Sequence, residues 1–155
     1  MGELIDSRAG WIGDHLRLYR RTGGREGHFV DTRDMGGVEF TATLLLKTIG
    51  RRSGQPSIVP LLYGMWRDEL VIAASNGGAD EHPAWYWNLR ERPELALQIA
   101  TDIFAGTWRQ AEGAERAAAW DYLVGLYPPY AAYQKATRRE IPVVLLRRTA
   151  RIAAL

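Results

Sequence analysis

Residues 39–74, EFTATLLLKTIGRRSGQPSIVPLLYGMWRDELVIAA, contain three apolar segments separated by two turn signals. Apolar and polar side chains alternate over 39–48, and a second apolar segment over 57–66 follows a glycine-rich turn. Such segments are typical of strands, and the first two are expected to pair as a hairpin. A tight connection at 67–68 leads to a third strand over 69–74. The stretch therefore predicts a three-stranded antiparallel meander.

The rest of the chain predicts helices and further strands around this meander. Helices are expected over 6–21, 84–92 and 114–127, and strands over 94–100, 103–112 and 142–148. Asp6 or Ser7 can cap the first helix, and the pair Pro128-Pro129 ends the last one. The glycine-rich stretch 24–38 is predicted to be a loop that covers an edge of the sheet, and Pro60 favours an edge or a bulge.

The order of these elements decides the fold class. Too few helices lie between the strands for a parallel, doubly wound sheet. We therefore predict an α+β protein, a single domain over 1–155 built on a mainly antiparallel barrel with peripheral helices.

The composition excludes several classes of function. A formal net charge of +2 over 155 residues is too small to indicate nucleic-acid binding. The absence of cysteine removes disulfides, thiolate metal sites and a cysteine nucleophile. His15, His28 and His82 lack the spacing of metal ligands, so no metal site is expected. Any redox chemistry must come from a bound cofactor.

The chain shows no targeting or membrane-spanning segment. Its first 21 residues carry charges throughout and lack the apolar core of a signal peptide. No later stretch is apolar for long enough to span a bilayer. These features predict a cytoplasmic protein, with peripheral membrane contact through the first helix as an alternative.

The turn between the first two strands is the first candidate binding site. Glycines in such a turn let backbone amides face a concavity, and arginine matches phosphate or carboxylate oxygens with a planar set of donors. The alternative is an exposed hairpin whose arginines keep the sheet edge soluble. The candidate residues for an anion are Lys47, Arg51, Arg52, Ser53, Gly54, Gln55 and Pro56.

A second candidate site begins where the third strand ends. Small residues at this point leave room for a flat ring, and backbone amides and a serine can bond its polar atoms, with a tryptophan as a wall. The alternative is a glycine turn next to core aromatic residues. The candidate residues are Ala73, Ala74, Ser75, Asn76, Gly77 and Trp85.

Three tyrosines after the last helix form the third candidate site. Tyr127, Tyr130 and Tyr133 follow one another at three-residue steps, so they share one side if the segment is helical. Their rings offer stacking surface and their hydroxyls hydrogen bonds, which suits an aromatic or quinone-like acceptor. Packing with the hydroxyls in water is the alternative. No nucleophile motif accompanies them, so hydrolysis is disfavoured.

Taken together, these segments resemble the deazaflavin-dependent nitroreductase family, also described as F420-dependent quinone reductases. The resemblance lies in LLLKTIGRRSGQPSIVPLLYG, LVIAASNGGADEHPAWYWNLRERPELALQI and LYPPYAAYQKATRREIPVVLLRR, in this order over 44–148. It implies a split β-barrel of the FMN-binding type. It also implies coenzyme F420, whose deazaflavin carries a phosphate and a tail of glutamates.

The resemblance assigns roles to the three candidate sites. It implies that 51–54 hold the phosphate and the start of the acidic tail, and that 73–77 and Trp85 lie beside the ring. Tyr127, Tyr130 and Tyr133 would line the acceptor pocket, with Tyr130 or Tyr133 orienting the acceptor or donating a proton. Leu62 and Asn76 stand where some members carry a tyrosine and a lysine.

The implied activity is hydride transfer from reduced F420 to a small acceptor, either aromatic or otherwise unsaturated. A quinone, a nitroaromatic compound or an unsaturated lactone would suit a flat apolar pocket. Two alternatives stay open at this point. One is an FMN-dependent reductase, since related split barrels bind flavin, and the other is a non-catalytic F420 carrier.

Overall fold

The fold is seen in a computed structural model, which describes residues 10–155. Within this range no helix is both long and apolar enough to cross a membrane. The helices are α1 Gly10–Arg21, α2 Ala84–Glu91, α3 Gly113–Leu126 and α4 Pro129–Lys135. The strands are β1 Phe29–Val30, β2 Thr41–Ile49, β3 Pro56–Leu62, β4 Gly64–Trp66, β5 Glu69–Ala73, β6 Leu95–Ile99, β7 Asp102–Gln110 and β8 Val143–Arg151.

The eight strands form one antiparallel sheet that curls back on itself. Its order is β1-β2-β6-β7-β8-β5-β4, and β3 pairs with the other side of β2. Only Tyr63 separates β3 from β4, so the chain itself joins the two ends of the sheet. The predicted α+β class and the antiparallel barrel with peripheral helices are confirmed.

The predicted hairpin is confirmed, and the predicted second strand divides into two. β2 pairs with β3 from Thr43↔Leu62 to Ile49↔Pro56, whereas β4 pairs with β5. The strand expected over 57–66 is thus interrupted at Tyr63 and serves two sides of the barrel. Pro60 faces Leu45 of β2, and within residues 10–155 no second strand pairs with β3, so the missing proline N–H breaks no ladder.

Two short elements were not predicted from the sequence. β1 lies inside the predicted loop 24–38 and pairs with the start of β2, which confirms that this loop covers part of the sheet. The helix before Pro128 ends as predicted, but a new helix, α4, begins directly at Pro129. Proline suits the first helical position because its missing N–H would have no partner there. The predicted caps Asp6 and Ser7 lie outside the described residues.

Alternate side chains of β5 face two different cores. Leu70 and Ile72 pack inside the barrel, while Val71 and Ala73 pack under α3 and α4. This alternation is the ordinary consequence of the two-residue period of a strand. It places the end of β5 between the barrel and the two helices.

Tyr19 attaches α1 to the barrel. Its side chain is fully buried, and its hydroxyl lies 3.1 Å from the Thr43 carbonyl and 3.3 Å from the Gln98 carbonyl, either of which can accept its proton. The same oxygen accepts a hydrogen bond from the Ala100 N–H at 2.8 Å. Burial raises the pKa of Tyr19 to about 12, so the phenol stays protonated and keeps donating. One hydroxyl thus fixes α1 against β2 and β6.

We expect Tyr19→Phe to lower the free energy of unfolding by about 1–3 kcal/mol, because the partly buried Ala100 N–H loses its acceptor. Tyr122→Phe is the matched control, since its hydroxyl accepts from the Met65 N–H at 3.2 Å in an exposed position. That control should cost under about 1 kcal/mol. Urea unfolding measures the free energy of unfolding of both variants. Equal losses of stability in the two would contradict the anchoring role of Tyr19.

Candidate active site

A cavity of about 220 Å³ lies between α1, the end of β3, the loop after β5 and α4. Its surface is mainly apolar. It brings together the predicted acceptor residues and two residues of the predicted ring loop, which are far apart in sequence. Its lining comprises Trp11, Ile12, His15, Val30, Thr32, Met35, Thr43, Pro60, Leu61, Leu62, Ser75, Gly77, Tyr127, Tyr130 and Tyr133.

The three tyrosines form a compact cluster on one side of this cavity. The ring centroid of Tyr127 lies 5.0 Å from that of Tyr130 and 6.3 Å from that of Tyr133, and the Tyr130 and Tyr133 centroids are 6.1 Å apart. The Tyr127 and Tyr133 hydroxyls are 3.4 Å apart, within hydrogen-bond distance. The cluster forms because α4 returns the chain across the end of α3.

Two tyrosines of the cluster, Tyr127 and Tyr130, resist ionisation. Burial raises the pKa of Tyr127 and of Tyr130 above the ordinary phenol value, and their neighbouring phenols raise it further. Within residues 10–155 the Tyr130 hydroxyl has no hydrogen-bond partner, although it belongs to a residue that lines the cavity. This hydroxyl is therefore available to a bound molecule as a neutral donor.

The loop after β5 has a tightly constrained backbone. Asn76, Gly77 and Gly78 adopt positive φ angles of 48°, 64° and 87°. A Cβ added to Gly78 would lie 3.1 Å from Tyr133 Cα, so the loop packs directly on α4. Only glycine permits this approach without displacing the helix. Ala73 and Ala74 are buried in the two cores next to the loop, and neither they nor Asn76 line the cavity, so only Ser75 and Gly77 of the predicted ring site do.

The cationic turn at 50–56 lies outside the cavity lining. The Gly50 N–H donates to the Gln55 carbonyl at 2.8 Å, and the Gln55 N–H donates to Ser53 Oγ at 3.1 Å. Gly54 adopts a φ of 72°, which completes the turn. Among the described residues, neither Arg51 nor Arg52 pairs with a carboxylate, and Lys47 does not either. The turn thus has a backbone fixed by its own hydrogen bonds, and its cationic side chains have no acidic partner within residues 10–155.

Asn88, which the sequence analysis missed, holds this turn in place. Its buried amide oxygen accepts from the Arg51 N–H at 3.1 Å and from Arg51 Nη1 at 3.2 Å, and its Nδ2 donates to Thr48 Oγ1 at 3.1 Å. An asparagine among the apolar residues of α2 is the sequence signal for this role. Trp85, on the same helix, packs in the barrel core and does not line the cavity.

His15 is a second residue that the sequence analysis missed. It lines the cavity from α1, and its Nε2 lies 2.7 Å from the Gly27 carbonyl. Burial lowers the pKa of His15, and the bond to Gly27 opposes that shift. Its spacing from Trp11 and Tyr19 on one face of α1 could have indicated a role. Histidine was considered only as a metal ligand.

Comparison with known proteins identifies the family. The model of a family described as F420H(2)-dependent quinone reductase matches residues 11–148. The chain belongs to this family. An F420H(2)-dependent quinone reductase of Mycobacterium tuberculosis strain H37Rv is 33% identical over 137 residues, which cover 86% of this chain and 87% of the relative.

Two solved structures resemble this member of the quinone reductase family. One, described as an F420-H2 dependent reductase, is 37% identical with a TM-score of 0.62 and covers 68% of this chain and 93% of its own. Another, described as a domain-swapped dimer, is 31% identical with a TM-score of 0.65 and covers 91% of this chain and all 100% of its own. The split-barrel prediction is thereby confirmed.

Membership defines the activity and its cofactor. The protein is an F420H(2)-dependent oxidoreductase that acts on a small-molecule acceptor, and its cofactor is coenzyme F420. The expectation of an F420-dependent reductase is confirmed over the FMN-dependent and carrier alternatives. The structure fits this cofactor, because a cationic turn with no carboxylate partner among residues 10–155 suits an acidic tail and a loop of small residues suits a flat ring.

Proposed function

We propose that this reductase reduces a flat quinone bound in the cavity between the 75–78 loop and the tyrosine cluster. The observation that carries the proposal is that one cavity is lined both by Ser75 and Gly77 and by all three tyrosines. The deazaflavin ring would lie along the loop, and the acceptor would lie between the ring and the tyrosines. Nitroaromatic compounds and unsaturated lactones share the flat shape and are further candidates.

The size of the cavity supports this division of space. Pockets that enclose a whole drug-sized ligand are about 300–1,000 Å³. At about 220 Å³ the cavity suits one small ring system, the acceptor, so the deazaflavin ring would border it at the 75–78 loop and the rest of the cofactor would lie outside. The phosphate and the acidic tail must therefore lie outside it. The turn at 50–56 offers Arg51 and Arg52 for that purpose, since guanidinium groups match both anions.

Reduced F420, when bound, supplies the hydride, and the protein supplies position and exclusion of water. Ser75 and the backbone of Gly77 would hold the polar atoms of the ring. Apolar residues such as Leu62 would exclude water from the reacting carbon. Tyr130 would orient the acceptor through its unpartnered hydroxyl. Because burial raises the pKa of Tyr130, we rank orientation above proton donation and assign the proton to solvent.

The tyrosine cluster also distinguishes a reductase from a carrier. A carrier needs only the cationic turn and the ring loop. It has no use for a second wall of aromatic side chains with a free hydroxyl beside the ring. Tyr133 and Tyr127 hold that wall together through their own hydroxyl contact.

Neutralising both guanidiniums, in Arg51→Gln/Arg52→Gln, should raise the Kd for F420 at least about tenfold, because charge-assisted hydrogen bonds contribute about 1.5–3 kcal/mol each. Added salt should weaken F420 binding to the wild type more than to the variant. Fluorescence titration measures both, and FMN should bind the wild type more weakly than F420. The matched control is the exposed Arg21→Gln in α1. A preference for FMN that survives the double substitution would refute the assignment.

Removing the free hydroxyl, in Tyr130→Phe, should lower kcat/KM for a quinone about two- to tenfold, as expected for one neutral hydrogen bond of about 0.5–1.5 kcal/mol. The affinity for F420 should not change, because the turn at 50–56 lies outside the cavity. A much larger loss would indicate direct proton transfer. Weaker F420 binding with unchanged acceptor kinetics would instead place Tyr130 on the cofactor side. Tyr122→Phe, outside the cavity, is the control.

We further propose that the mouth of the cavity contacts a membrane surface peripherally. Trp11 and Met35 line the cavity and are nonetheless exposed. Phe29 precedes the cavity residue Val30 on β1, and its exposed ring meets the exposed ring of Phe40 edge to face at 6.2 Å. Aromatic side chains of this kind insert at a lipid interface.

The double variant Phe29→Ser/Phe40→Ser should reduce sedimentation with anionic vesicles at least about fivefold, since two apolar side chains no longer transfer into lipid. Met65→Ser is the control, because it removes an exposed apolar side chain on β4, at the opposite end of the strand order from β1, and it should have little effect. Equal binding of the wild type and the double variant would rule out this contact.

A further inference from the structure

One arginine outside the proposed site residues contacts both ends of the ring loop. Arg139 lies between α4 and β8. Its Nη2 donates to the Ser75 carbonyl at 2.8 Å, and its Nε donates to the Ala79 carbonyl at 2.8 Å. Its Nη1 donates to the Ala74 carbonyl at 3.2 Å and lies 2.8 Å from Nδ1 of His82. A single side chain thus holds four acceptors from the beginning and the end of the loop.

The loop has few hydrogen bonds of its own that could replace these. The Gly78 N–H donates to the Ser75 carbonyl at 2.9 Å, and the Ala79 N–H donates to the Asn76 carbonyl at 3.1 Å. Both bonds close short local turns. Asn76 Nδ2 also donates to the Glu81 carbonyl at 3.0 Å, and from outside the loop Thr137 Oγ1 donates to Asp80 Oδ1 at 2.9 Å in an exposed position. Asn76 also has a positive φ of 48°, which is uncommon for a residue other than glycine. Contacts from outside the loop are therefore needed to hold its shape.

Arg139 is itself held by the helix that carries the tyrosines. Gln134, next to Tyr133 on α4, donates from Nε2 to the Arg139 carbonyl at 2.7 Å. Its Oε1 accepts from the Ile141 N–H at 2.9 Å. The loop also touches the same helix without Arg139, because Gly78 packs directly against Tyr133. The ring loop and α4 are thus joined both by packing and by a chain of hydrogen bonds through Arg139.

We propose that Arg139 is a positioning residue that sets the distance between the 75–78 loop and the tyrosine cluster, and hence the width of the cavity. Its effect on catalysis rests on the proposed function, in which the acceptor lies between these two walls. Arginine suits this role because its planar group presents five donors in several directions. Lysine keeps the charge but places all its donors on one atom, so it cannot satisfy four separated acceptors.

The first test needs no cofactor. In the ligand-free protein, Arg139→Lys should speed hydrogen exchange of the backbone amides over 76–82 at least about tenfold, because the loop loses the hydrogen bonds that it accepts from Arg139. Arg138→Lys is the matched control, since Arg138 is exposed and adjacent in sequence. Exchange in the control should equal that of the wild type. Wild-type exchange rates in Arg139→Lys would overturn the proposal.

The second test asks whether the spacing matters for the reaction. With F420H2 saturating, Arg139→Lys should lower kcat/KM for a quinone at least about tenfold, with a rise in the acceptor KM, and Arg138→Lys should leave it unchanged. In the double variant Arg139→Lys/Tyr130→Phe, the fold loss in kcat/KM should be smaller than the product of the two single losses, because both changes affect the placement of one acceptor. A purely structural role would give independent losses.

The outcomes separate this proposal from the proposed function. A loop that exchanges faster while the acceptor kinetics stay unchanged would refute the positioning role of Arg139 and leave the reductase intact. If the wild type oxidised no F420H2 with any quinone, the proposed function would fail. The exchange data would then still decide whether Arg139 joins the two walls.

Discussion

The architecture depends on one strand that serves two sides of the barrel. The chain pairs with β2 as far as Leu62, passes through Tyr63 and then pairs with β5. Directly after the break, a Cβ on Gly64 would lie 2.5 Å from Leu126 Cδ1, so α3 packs against the bare backbone there. This close approach brings the end of α3, and with it α4, to the edge where Leu62 lies. The cavity is a consequence of that contact.

The same geometry separates the two ends of the proposed cofactor site. The cationic turn joins β2 to β3 and is fixed from α2 by Asn88, whereas the tyrosine cluster, the proposed acceptor wall, lies at the end of α3 and on α4. Charge and reactivity thus occupy different elements. Changes in the tyrosine helix can alter the choice of acceptor without disturbing the cationic turn.

Much of the fold was predictable because local patterns and tertiary structure agree. Alternation over 39–48 predicted β2, and the turn residues that follow predicted its hairpin. The break at Tyr63 was not predictable, because it depends on Leu126 of α3, which is distant in sequence and packs on Gly64. α4 was missed because Pro128-Pro129 was interpreted only as a stop, although proline also begins helices. Within the site, three-residue spacing predicted the tyrosine cluster, while Arg139 had no local signal because its acceptors lie on another loop.

The most direct measurement is single-turnover oxidation of protein-bound F420H2 by a water-soluble naphthoquinone, comparing the wild type with Leu62→Trp. Leu62 lines the cavity but lies outside both proposed cofactor segments, so a larger ring there should exclude the acceptor and leave F420 in place. The wild-type rate should saturate with quinone, and the variant should bind F420 normally but react at least about tenfold more slowly. A rate that never saturates, or equal rates in the two proteins, would contradict reduction of the acceptor in this cavity.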